Sequence, residues 1–237
     1  MKYTLHKAGT RGHANHGWLN TFHTFSFADY YNADRVNFGV LRVINDDTIL
    51  GHNGFGTHPH KNMEIITFPL SGAVAHEDSM GNKGTIEYGE IQVMSAGTGV
   101  YHSEFNANQD QDLKLLQIWV LTGKQNVEPR YSQFNYLPHL KHNEFLQIVS
   151  PNTDDFGAWI YQNGYVNYGE FDANQEVDYS TKIVQNGLYL FVIDGNITVN
   201  GVDLQSRDGI GFEELESLKI TTQTAAKLLL FDISMKA

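Results

Sequence analysis

The chain has 237 residues, enough for one or two buried cores, and its 16 Lys+Arg against 27 Asp+Glu leave a net charge of −11. That balance excludes a polyanionic partner such as nucleic acid, whose binders carry a basic excess or stripe. Cysteine is absent, which excludes disulfides, thiolate metal sites and nucleophilic thiols, and 22 glycines with only 18% charged residues favour strands and turns over helical bundles.

Met1 to Lys7 carries no apolar h-region and no run approaches a membrane span, so a cytoplasmic protein without membrane contact is expected. In chain order, short apolar or β-branched runs follow: Phe38 to Ile44, Met63 to Leu70, Thr85 to Tyr88, Ile91 to Met94, Leu113 to Leu121 and Phe145 to Val149. Beyond them lie Ala158 to Tyr161, Tyr165 to Phe171, Leu188 to Ile193, Ile197 to Asn200, Ser217 to Thr222 and Lys227 to Ile233. Turns such as Ser71-Gly72, Asn163-Gly164 and Asp194-Gly195 separate the runs. Short strands at this spacing, with no amphipathic helix beyond two turns, predict an all-β sandwich or barrel.

The region around Pro129 and Pro138 has little strand pattern. It divides the chain into an N-terminal unit of residues 1–122, a linker of 123–142 and a C-terminal unit of 143–237. The two units share a strand–turn–strand likeness, Phe68 to Val74 against Phe191 to Ile197, followed in each by a strand after Gly89 or Asp208. A duplicated β-barrel is the expectation.

Histidine is unevenly spread: nine of 11 lie in residues 1–102 and none follows His142. His58-Pro59-His60 places two imidazoles at i, i+2, where an extended chain sends both side chains to one face. His102-Ser103-Glu104, behind the Gly-rich Ala96 to Gly99, repeats the spacing. Glu64, four residues past His60, would share the first face only if the strand ran unbroken, and Pro59 with its neighbouring glycines argues against that. A His-x-His pair alone is commoner as surface decoration than as a ligand pair; the second pair shifts the balance to a metal site. Three imidazoles and one carboxylate suit one divalent first-row ion: Fe, Mn, Co, Ni, Cu or Zn. Four protein ligands in an octahedral field leave two positions for substrate and O2. The remaining histidines read as structural: His23 packing the first strand, His76 in a strand-end hydrogen bond, His52 on a loop, His6, His13 and His16 on the surface, His139 and His142 in the linker.

The ordered blocks His23 to Tyr31, Phe38 to Asp47, Gly54 to Glu64, Ala75 to Asn82 and Gln92 to Asn106 resemble the pirin family of bicupins over residues 1–120, in the shorter bacterial form. The resemblance implies two tandem cupin domains, each a jelly-roll β-barrel, with one metal, often iron, in the first. Its ligands carry over to His58, His60, His102 and Glu104, which leaves Glu64 to orient a ligand imidazole. Matching Gly72 with Gly195 and Gly89 with Asp208 puts Thr181, Ile183, Thr221 and Gln223 at the ligand positions of the second barrel, which is therefore expected to lack a metal.

The resemblance also implies quercetin 2,3-dioxygenase activity, the opening of a flavonol, a small aromatic substrate, by O2; on chemical grounds Glu104 is the expected catalytic base for the substrate hydroxyl. A metal- or redox-responsive regulatory protein acting through a protein partner without turnover is the alternative. A hydrolase or isomerase using Zn as a plain Lewis acid is a weaker one.

Overall fold

The computed structural model describes residues 2–236, and the chain is almost wholly strand. The first half comprises β1 (Lys2–His6), β2 (Gly12–Asn15), β3 (Leu19–His23), β4 (Leu41–Ile49), β5 (Gly54–His60), β6 (Met63–Ser71), β7 (Ala73–Asp78), β8 (Lys83–Glu87), β9 (Glu90–Ser95), β10 (Val100–Asn106), β11 (Leu113–Leu121) and β12 (Arg130–Asn135). The second comprises β13 (Leu146–Ser150), β14 (Ala158–Trp159), β15 (Gly164–Phe171), β16 (Glu176–Ser180), β17 (Asn186–Asp194), β18 (Asn196–Val199), β19 (Val202–Gln205), β20 (Gly209–Glu213), β21 (Ser217–Thr222) and β22 (Ala226–Ser234). The helical turns among the described residues are 3₁₀, at Ala8–Thr10 and Leu137–His139, and no helix is long and apolar enough to cross a membrane.

The strands form two barrels of one plan. The first pairs a seven-stranded sheet, β12-β9-β6-β11-β4-β3-β2, with a four-stranded sheet, β5-β10-β7-β8. The second repeats this as β1-β20-β17-β22-β15-β13-β14 and β16-β21-β18-β19. These are two tandem cupin barrels, and the duplication read from Gly72 and Gly195 is present in the backbone. Both glycines make the turn from the large sheet to the small one, β6 to β7 and β17 to β18, at φ of 78° and 94°, a left-handed conformation that glycine adopts without steric cost.

Two strands depart from the expected division. The segment taken as a linker contains β12, which pairs with β9 and closes the edge of the first large sheet. Strand β1 crosses to the second unit and pairs with β20. Each large sheet thus has an outermost strand covering an edge that would otherwise present unpaired backbone groups. His6, expected on the surface, is consequently buried at the end of β1, its Nδ1 2.9 Å from the Tyr189 hydroxyl.

Alternation along the strands sorts the side chains into two environments. Ile44, Ile66, Phe68, Leu116 and Ile118 of the first large sheet share one core with Tyr189, Phe191, Leu229, Phe231 and Ile233 of the second, so the barrels pack back to back. The neighbouring residues on β17 and β22, Leu188, Leu190, Val192, Leu228 and Leu230, point the other way and fill the second barrel. On the first large sheet that opposite face is polar. The register runs Gln92, Thr67, Gln117, Asn45 and His23 straight across five strands, all of them buried.

Candidate metal centre

Strand β5 is held against β10 in a register that breaks once. His102 faces His58 and Glu104 faces Phe55, so Gly56 and Thr57 together oppose Ser103. Such a bulge bends the strand and re-aims its side chains. Gly54 is required nearby, since a Cβ there would lie 2.4 Å from the Glu104 carbonyl oxygen. Chain direction changes at Asn62, at φ 50°, and β6 continues in the other sheet.

The result brings the rings of His58, His60 and His102 together. Their centroids lie 4.9 Å apart for His58 and His60, 4.4 Å for His58 and His102, and 4.9 Å for His60 and His102. One nitrogen from each lies within 4.8 Å of the others. His58 Nδ1 is 2.8 Å from the Gly56 carbonyl oxygen, a bond that requires a proton on Nδ1 and leaves the Nε2 lone pair free. Burial and the facing imidazoles hold His60 down to about 4 and His102 down to about 2, so both are neutral and able to donate a lone pair at neutral pH. Both ring nitrogens of His102 are buried with no hydrogen-bond partner. Unpaired buried imidazole nitrogens are costly, and coordination of an ion would give one of the two a partner. The donor set therefore fits a divalent transition metal.

Glu104 reaches the cluster from the same strand as His102. Its Oε1 accepts from Thr67 Oγ1 and its Oε2 from Gln117 Nε2, both at 2.7 Å. Burial raises its carboxyl above the usual range and these two bonds oppose the rise. Glu104 groups with His102 and with His76, which lies directly across the β10–β7 pair, rather than with all three of the other imidazoles at once. His76 is bonded to Asp78 at 3.3 Å, as expected, yet it also stands buried beside the cluster, 5.4 Å from His102 between ring centroids. The signal for that placement was the i, i+2 spacing of His76 and Asp78, the same spacing as in the two assigned pairs.

A cavity of about 730 Å³ opens onto this group. Trp18, Phe27, Tyr30, Phe55 and Trp119 supply its aromatic walls, with Phe27 and Trp119 meeting edge to face at 5.3 Å and Trp119 against His60 at 4.9 Å. His23, Asn45, Asp47 and Gln117 form a polar side. His23 is thus part of the cavity as well as of the strand packing, and its Nδ1 is 2.8 Å from Asn45 Oδ1.

Residues 4–120 match the Pirin family model, and residues 147–233 match the model described as Quercetinase C-terminal cupin domain. A protein of Escherichia coli K12 named quercetin 2,3-dioxygenase is 41% identical over 229 residues, 97% of each chain. The chain belongs to the pirin family. Its relatives include a pirin-like protein of Caulobacter vibrioides, 37% identical over 93% of this chain and 95% of that one. Among solved structures, the bacterial pirin YhhW of Escherichia coli in complex with nickel(II) superposes with a TM-score of 0.93 at 39% identity, over 98% of this chain and 99% of that one.

Within this pirin, Glu64 does not contact an imidazole. Its oxygens accept from Ser95 Oγ at 2.6 Å and Thr122 Oγ1 at 2.7 Å, beside Arg130. The break at Asn62 puts it on the large sheet, away from the His58 face, so the expectation that it orients a ligand is corrected. The second barrel needs a register correction too. Val74 pairs with Asn106 as Ile197 pairs with Thr222, which sets Leu218 and Ile220, not Thr221 and Gln223, at the positions of His102 and Glu104. Tyr179, opposite Leu218, stands where His58 does, and all three lie in the apolar core.

Proposed function

We propose that this pirin is a metal-dependent dioxygenase that cleaves flavonols of the quercetin type, with one ion held by His58, His60, His102 and Glu104. The carrying observation is the convergence of three imidazoles beside an aromatic cavity, with neither ring nitrogen of His102 taken by a protein partner. The names of the quercetin 2,3-dioxygenase relatives and the nickel(II) complex of YhhW support the same reading. Iron is the first choice of ion, with nickel, copper, manganese, cobalt and zinc compatible with the same donors.

When bound, the ion supplies Lewis acidity for the substrate's hydroxyl oxygen and a route for electrons toward O2. The chain's own residues supply the rest. Phe27, Trp119, Trp18 and Phe55 enclose a planar ring system and keep bulk water from it. Glu104, raised by burial, accepts the flavonol hydroxyl proton at a carboxylate oxygen while Thr67 and Gln117 hold the group in place. The second barrel, with Tyr179, Leu218 and Ile220 at the equivalent positions, holds no ion in this reading.

The test is metal content per chain followed by O2 uptake with quercetin on protein loaded with each ion. One ion per chain and uptake that His58→Ala abolishes are expected. If no loaded form consumes O2 with any flavonol, the dioxygenase reading fails.

A further inference from the structure

Asp47 has no role in the reaction as described, yet it lines the same cavity. It lies on β4 opposite Thr21 and Leu115, and Thr21 hydrogen-bonds its carboxyl group. The residue is 3% exposed, and its Oδ1 has no hydrogen-bond partner. Among the described cavity residues one other buried side-chain atom lacks a partner, the indole N–H of Trp119 beside His60, and that atom is a donor. The carboxylate oxygens of Glu104 are both taken. Asp47 is therefore the cavity's unpaired buried carboxylate acceptor, and a buried carboxylate oxygen without a donor is a costly arrangement. Its terminal torsion is broad and two-fold, so a turn about Cβ–Cγ brings the free oxygen toward the cavity.

Its place relative to the cluster sets what it can bind. Asn45 is directly opposite Gln117, so Asp47 is the diagonal neighbour of Gln117, about 7–8 Å from it across the strand pair. Gln117 carries Glu104. A donor that meets Asp47 is thus displaced by roughly a ring and its substituent from a hydroxyl at Glu104. We propose that Asp47 is a specificity-determining residue that accepts a hydrogen bond from a second hydroxyl of the aromatic substrate, remote from the hydroxyl at the imidazole cluster. The inference rests on the flavonol reading of the cavity. It narrows the substrate class to polyhydroxylated aromatics.

Dissociation constants for quercetin and for 3-hydroxyflavone, which has no other hydroxyl, are measured without O2 at about pH 8.5, where Asp47, pushed up to about 7 by burial, is ionised, on nickel-loaded protein, wild type, Asp47→Leu and Asp47→Asn. Wild type is expected to prefer quercetin by about 10- to 100-fold, the range for a hydrogen bond to a charged group. Asp47→Leu brings the ratio to within about threefold by weakening quercetin alone, and Asp47→Asn, a neutral acceptor of the same shape, gives a value between. Thermal melts confirm folding, and if the Leu variant does not fold the Asn variant decides. A ratio unchanged in the folded variants overturns the role of Asp47 and leaves the flavonol reading standing. Failure of wild type to bind either compound overturns both.

Discussion

Glu104 owes its position to two neutral donors, and each oxygen has one. Gln117→Met keeps the volume of the side chain and removes the donor to Oε2, leaving a buried carboxylate oxygen unpaired. The carboxyl group then rises further, and proton competition for it strengthens. Metal affinity at neutral pH is expected to fall about 10- to 100-fold, the usual effect of losing a bond that orients a ligand, as read by chelator competition. An affinity within twofold of wild type would show that Gln117 does not support the ligand set. At this scale the sequence exposed the chemistry and concealed the supports. The His-x-His and His-x-Glu spacings are local, so they survive without a structure. Thr67, Gln117, Asn45 and Asp47 come together only through register across β6, β11 and β4, and nothing local distinguishes them from ordinary polar strand residues. Glu64 is the converse case: close in sequence to His60, but carried to another sheet by the turn at Asn62.

Strands were legible where apolar residues made them so. β17 and β22, buried on both faces, read directly as Leu188 to Ile193 and Lys227 to Ile233. β5 and β10 did not, because the glycines, Pro59 and the polar candidate ligands on them are poor strand formers. β1 was missed for a different reason: its partner, β20, is some two hundred residues away. Its last residue gives a pH test. His6 is held down to about 4 by burial, with the charge of Arg35 adding to the effect, whereas an unfolded histidine titrates near 6.5. Between those values the unfolded chain binds a proton that the folded chain refuses. The contribution to stability is therefore complete above about pH 6.5 and is lost as pH falls toward 4. His6→Gln removes this term. The stability difference between wild type and variant, from urea unfolding, should shrink against the wild type by about 2–3 kcal/mol from pH 7 to pH 4. Asp47, pushed up to about 7 by burial, has the opposite sign, but it is common to both proteins and cancels. Parallel curves for the two proteins would sink the assignment of β1's anchor as a neutral buried histidine.

The whole molecule behaves as one body because its barrels share a wall. The common core joins Ile44, Phe68 and Ile118 to Tyr189, Phe191 and Phe231. One charge pair crosses the same boundary, Asp46 on β4 with Arg207 of the second barrel at 2.9 Å, and Asp46 also takes Arg11, next to β2, at 3.0 Å. The candidate metal residues lie on one side of that wall and the apolar filling on the other: Thr67, Gln117 and Glu104 correspond by register to Leu190, Leu230 and Ile220. The second barrel is thus filled by apolar residues, and its outer face shares the core that backs the barrel with the polar interior. Phe231 is the place to test this coupling, since it is fully buried in the shared core and far from any candidate ligand in sequence. Phe231→Ala is expected to cost about 3–5 kcal/mol, on the order of 10 °C in melting temperature for a chain of this size. Calorimetry should show one transition for wild type and variant alike, with van't Hoff and calorimetric enthalpies equal. Stripping the metal should move that entire transition down, because an ion that binds only the folded state stabilises whatever unfolds with its site. Two transitions, with Phe231→Ala shifting one and metal removal the other, would show that the barrels fold independently and that the shared wall does not couple them.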